Sequence, residues 1–173
     1  MQATPPASKA WIRPALIALA LAGLATVAYV SLSARSSAPD VTFAGIDGEQ
    51  ITPQSLRGKV VMVNFWATSC TTCVAEMPQM VETYNKYKAR GLEFVAVAMK
   101  YDPPEYVNNF ARTRQLPFKV ALDASGAAAK AYGDVALTPT TFVIDKQGKI
   151  IKRYVGEPEF ESLHKLLEQA LAG

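Results

Sequence analysis

Thiols and imidazoles are scarce: Cys70, Cys73 and His164 are the only ones in a chain of 173 residues. A closed zinc site normally takes four such ligands, so this supply argues against structural zinc and leaves two thiolates, a set that suits Cu(I). His164 falls in a C-terminal amphipathic stretch and reads as a helix-surface residue rather than a ligand. Charge is also sparse, at 19% of residues with a formal net charge of +3, and the Lys and Arg residues form no stripe. That excludes an obvious nucleic-acid footprint, and no nucleic-acid partner is expected. No internal repeat is visible, and outside one alanine-rich run there is no low-complexity tract.

Apolar residues are plentiful, at 50% of the chain. Residues 15–32, ALIALALAGLATVAYVSL, carry no charge and are flanked by Lys9 and Arg13 before and Arg35 after. Such a run is just long enough to cross a bilayer as a helix and longer than the apolar part of a cleaved signal, although the SLS at 31–33 offers small residues to a peptidase. The reading is an uncleaved anchor, with residues 1–14 cytoplasmic, 15–32 transmembrane, 33–40 a linker and 41–173 a domain on the far side. That domain is long enough for a genuine core.

Within it, VTFAGIDGEQIT alternates about Asp47-Gly48 and predicts a hairpin. KVVMVNFWA and LEFVAVAM read as strands buried on both faces. Between them Val74, Met77, Val81, Tyr84 and Lys88 recur at helical spacing up to Gly91. A second helix follows Pro103-Pro104, then the short extended KVALD, a short helix closed near Gly133, a hairpin turning at 146–148, and a last helix burying Phe160, Leu163, Leu166, Leu167 and Leu171. The order predicts an α/β fold with a mixed central sheet flanked by helices.

Both cysteines sit in FWATSCTTC, where strand gives way to helix. Free N–H groups and the positive end of the helix dipole stabilise a thiolate there. Cys70, at or before the first turn, reads as a nucleophile, with Cys73 able to attack a mixed disulfide formed on it. A structural staple is the alternative, but it would close a very short loop and contribute little chain-entropy stabilisation. Two-thiolate metal binding is the third reading.

The segment VVMVNFWATSCTTCVAEMPQM, together with the N-terminal hairpin, the helix inserted before VALD, and LTPTTFVID, resembles the thioredoxin superfamily in its TlpA/ResA-like branch of membrane-anchored periplasmic thiol-disulfide oxidoreductases. The resemblance implies a thioredoxin-like fold with an N-terminal β-hairpin and a central helical insertion, preceded by one transmembrane helix. It implies Cys70 and Cys73 as the redox pair, with no bound cofactor or metal. Pro139 would be cis and pack on the pair, exposing the backbone of Thr138 for strand-like docking of substrate. Trp66 would pack beside the pair, or simply belong to the core, and Pro78 would kink the active-site helix. Asn64 stands where thioredoxins carry a buried acid, and an amide cannot relay protons. Glu76, three residues after Cys73, occupies the position of the proposed substitute, unless it only complements the helix dipole; burial decides between the two. Implied partners are a substrate protein disulfide, such as apocytochrome c or a copper-site assembly protein, and a membrane thiol-electron carrier of the DsbD/CcdA type. The implied location is the bacterial inner membrane, single-pass, with the domain in the periplasm.

The chain departs from the family's WATWCPPC at Ser69, Thr71 and Thr72, which puts docking preference and potential in question. A rival reading is a copper-binding assembly factor using the same two thiolates. A peroxidatic site is weaker, because Ala67 rather than threonine lies three residues before Cys70.

Overall fold

The computed structural model describes residues 36–173 together with Leu19, Leu21 and Gly23. Among the described residues no helix is long and apolar enough to cross a membrane. Residues 1–14 and almost all of the span expected at 15–32 lie outside them.

The first hairpin pairs β1 (Phe43–Gly45) with β2 (Gln50–Ile51), Phe43 opposite Ile51. Gly48 takes φ +88°, as its turn position requires. A one-turn helix that the pattern does not signal, α1 (Pro53–Leu56), follows; Thr52 caps it and Pro53 opens it. Next come β3 (Val60–Trp66), α2 (Thr71–Tyr87) and a 3-10 turn, Lys88–Arg90, closed by Gly91 at φ +99°. Then β4 (Leu92–Ala98), α3 (Pro104–Thr113), β5 (Lys119–Leu122) and α4 (Ala127–Ala131) lead to the hairpin of β6 (Thr140–Ile144) and β7 (Ile150–Val155), and α5 (Phe160–Ala172) ends the chain.

The seven strands form one sheet in the order β2-β1-β5-β4-β3-β6-β7. β3 is central, parallel to β4 and antiparallel to β6, and every residue of β3 and β4 is buried. This is the mixed sheet read from the sequence, and the short extended KVALD proves to be a full member of it. Strand alternation sorts the core. Val60, Met62 and Trp66 face α2, α3 and α5, packing with Met77, Met80, Val107, Leu163 and Leu167. Val61, Val63 and Phe65 face the other way, against Ala128, Ala129 and Tyr132. Asn64 shares its face with Met62 and Trp66, so the only polar side chain of β3 points at α2.

Of the linker expected at 33–40, residues 36–40 are described, and three of them are tied to the β6–β7 turn. Ile150 N–H donates to Ser36 O at 2.9 Å, Ala38 N–H to Gly148 O at 2.8 Å, and Lys149 Nζ to Ser37 Oγ at 2.7 Å. The compact unit therefore begins at Ser36. His164 also differs from its reading as a surface residue. It is half-buried between helices, with Nε2 2.9 Å from Thr83 Oγ1 and its ring edge-on to Tyr87, and burial lowers its pKa. Pro78 lies exposed within the unbroken α2, where its missing N–H costs one helical bond.

Candidate active site

Because β3, β4 and β5 are parallel, their carboxyl ends meet at one pole, where open α/β sheets place their sites. From Trp66 the chain turns through Ala67, whose carbonyl accepts from Cys70 N–H at 3.1 Å. Cys70 is the N-cap of α2: its Sγ accepts from Cys73 N–H at 3.2 Å and its carbonyl from Val74 N–H at 3.0 Å. No acidic residue occupies the first turn to oppose a thiolate. The two cysteines are joined in a disulfide, with Cα atoms 5.2 Å apart. Cys70 is partly exposed, whereas Cys73 is 0% exposed. An incoming sulfur can reach the first and not the second.

Cys73 is walled by the core cluster that contains Trp66, Met77 and Met80. Trp66 is itself 0% exposed and packs on Phe110 of α3, ring centroids 5.2 Å apart. Being fully buried, it belongs to the core and presents no surface to a partner. Ser69, Thr71 and Thr72, the positions of departure, are all exposed around Cys70.

One turn after Cys73, Glu76 is 1% exposed and sits on the same buried face of α2. Asn64 Nδ2 donates to Glu76 Oε1 at 3.1 Å and to Thr141 Oγ1 at 2.9 Å. Glu76 Oε2 and Asn64 Oδ1 have no hydrogen-bond partner. Burial without a cation is the main cause that raises the Glu76 pKa from 4.5 to about 8; the Asn64 bond opposes it and Glu157 adds to it. Glu76 is thus a buried carboxyl of raised proton affinity, not a surface complement to the helix dipole.

The Thr138–Pro139 peptide bond is cis. Pro139 is buried, its carbonyl accepts from Gly156 N–H at 2.8 Å, and the next residue, Thr140, pairs with Phe65 of β3. Thr140 Oγ donates to Leu137 O at 2.7 Å. These bonds hold the loop at the same pole as the cysteine pair, while Thr138 makes no backbone-to-backbone hydrogen bond among the described residues.

Two further residues belong to this pole and were not picked out from the sequence. Asp102, in the loop after β4 and 5% exposed, accepts from Thr68 N–H and Thr68 Oγ–H, each at 2.6 Å. It fixes the turn two residues before Cys70. Its neighbour Tyr101 brings its hydroxyl to 3.4 Å from Thr138 Oγ1. The available signal was position: a polar residue just past the carboxyl end of a buried strand. Among the described residues no group of three or more His, Cys, Asp or Glu gathers as metal ligands.

Comparison with known proteins agrees with this geometry. The family model described as Redoxin matches residues 33–167. The chain is 39% identical over 132 residues to the thiol-disulfide oxidoreductase ResA of Bacillus thuringiensis subsp. konkukian, covering 76% of this chain and 75% of that protein. It is 36% identical over 134 residues to ResA of Bacillus subtilis, covering 78% and 74%. A crystal structure of a thioredoxin-family thiol:disulfide interchange protein from Chlorobium tepidum superposes with a TM-score of 0.73 at 28% identity, over 80% of this chain and 98% of that one. With a thioredoxin-like sheet, a partly exposed Cys70 bonded to a buried Cys73, and relatives of this kind, the chain belongs to the TlpA/ResA-like thiol-disulfide oxidoreductases of the thioredoxin superfamily.

Proposed function

We propose that this oxidoreductase works as a disulfide reductase on proteins outside the cytoplasm, held at the bacterial inner membrane by residues 15–32. The observation that carries the exchange reading is a partly exposed Cys70 bonded to a buried Cys73 with a buried acid one turn on; the reducing direction rests on the family membership. In the reduced protein the Cys70 thiolate attacks one sulfur of a substrate disulfide, forming a mixed disulfide and releasing the other substrate sulfur as a thiolate. Cys73 then gives its proton to the Glu76 carboxylate and attacks Cys70 Sγ. The second substrate sulfur leaves, the two leaving thiolates take up one proton from Glu76 and one from water, and two electrons have passed from protein to substrate. The protein finishes as the Cys70–Cys73 disulfide. A carboxyl with a pKa of about 8 is well matched to a thiol with an ordinary value near 8.5, so the proton can move either way near neutral pH. Asn64, which does not titrate, leaves Glu76 as the carrier.

Return to the dithiol form is assigned to a membrane thiol-electron carrier of the DsbD/CcdA type, and the substrates to apocytochrome c or copper-site assembly proteins. The family membership supports both assignments, and the uncharged run at 15–32 supports the tether. The test is to replace Cys73→Ser, which blocks resolution and lets the Cys70 mixed disulfide accumulate, and then to identify what is attached. Capture of disulfide-linked partners that a Cys70→Ser/Cys73→Ser control does not capture is expected. Failure to capture any, beside a functioning trap in a related protein, would overturn the reading.

A further inference from the structure

The domain of residues 36–173 exposes four large apolar side chains: Tyr101, Tyr106, Leu137 and Val155. All four stand at the pole of the cysteine pair. Tyr101 lies just past β4, whose carboxyl end is beside that of β3, and Tyr106 is on the first turn of α3 that follows. Leu137 precedes the cis bond, and Val155 ends β7 opposite Thr140. A small domain that confines its exposed apolar bulk to one end marks that end as a contact surface.

Two of the four adjoin Thr138: Leu137, 65% exposed, precedes it, and Tyr101, 56% exposed, brings its hydroxyl to 3.4 Å from Thr138 Oγ1. Thr138 itself makes no backbone-to-backbone hydrogen bond among the described residues, so an extended chain can pair there. On the cysteine-bearing loop the exposed neighbours are Ser69, Thr71 and Thr72, so the apolar contact comes from the flanking loops rather than from the residues beside Cys70.

We infer that Tyr101 and Leu137 form an apolar clamp selecting extended polypeptide disulfides that carry an aromatic or large aliphatic side chain two residues from the reacting cysteine. The spacing follows from strand geometry: in an extended segment the cysteine facing Cys70 and the residues two positions away share one face. The inference rests on the disulfide-reductase reading, because an occupant of the clamp matters only if its sulfur meets Cys70.

The test uses the full chain in its reduced form and two short peptides, identical except for Phe or Ser two residues before a cysteine that is disulfide-linked to cysteamine. Each turnover breaks the peptide–cysteamine S–S bond, yields two free thiols and leaves the protein as its disulfide. Under single-turnover conditions wild type is expected to favour the Phe peptide by about tenfold in the second-order rate constant, as partial burial of an anchor side chain allows. In a Tyr101→Ser/Leu137→Ser variant that ratio is expected to fall to about one. Equal rates for the two peptides in wild type, or a ratio that survives in the variant while both rates fall together, would overturn the clamp. Failure of wild type to reduce either peptide or free cystamine would instead remove the reductase reading, and the clamp with it.

Discussion

Two glutamates are buried in this domain, and the surroundings of the two are opposite. Glu93 lies at the start of β4, away from the cysteine pair, and its Oε2 is 3.0 Å from Lys59 Nζ. Glu76 lies near the carboxyl end of β3, meets only an amide donor, and keeps one oxygen unpaired. Besides Lys59–Glu93 the far pole carries the ion pairs Lys119–Glu49 at 2.7 Å and Arg90–Glu168 at 2.6 Å. Where a carboxylate has only to be stable, a cation is supplied. At Glu76 no cation is supplied, and burial raises the proton affinity against the opposing Asn64 bond.

Three changes test that contrast, from the largest expected effect to the smallest. Glu76 has its pKa raised, so its favourable contribution is complete below the ordinary 4.5 and is lost as pH rises through about 8. Urea denaturation of the oxidised protein is expected to show wild type losing on the order of 4 kcal/mol between acid pH and pH 9 relative to Glu76→Gln. Parallel pH profiles for the two proteins would remove the proton-carrier assignment. Asp102→Ala separates burial from lack of partners, since Asp102 sits at the reaction pole with both oxygens bonded to Thr68. Loss of those bonds should cost about 2–3 kcal/mol and slow exchange at Cys70, read by denaturation and by single-turnover kinetics. Lys59→Met strips Glu93 of its cation and makes it resemble Glu76. Because Lys59 is 44% exposed and its pair is screened, the expected loss is only about 1 kcal/mol at pH 7, read by urea denaturation.

Much of this was legible before the structure. Unbroken apolar runs marked β3 and β4, and the passage from β3 into a helix located Cys70 at its N-cap, because burial and capping are local in sequence. The cis bond at Thr138–Pro139 and the place of Glu76 came from family resemblance, since neither follows from the propensity of those residues. The burial of Glu76 needed the register of β3, which turns Asn64 toward α2. Asp102 and Tyr101 were missed because their partners, Thr68 and Thr138, are distant in sequence, and a loop such as MKYDPP carries no periodicity to reveal them. Residues 36–38 looked like linker by composition, yet backbone bonds to the β6–β7 turn make them part of the domain.

Those same bonds fix the polarity of the domain. β6 runs from Thr140 beside Phe65 to Ile144 beside Val61, so the turn that receives Ser36 lies at the far end of the sheet from Cys70. The seven residues of β3 separate the two ends by roughly 23 Å of extended chain. Whatever precedes Ser36 is joined there, so the chain enters the domain at one end of β3 and the disulfide stands at the other.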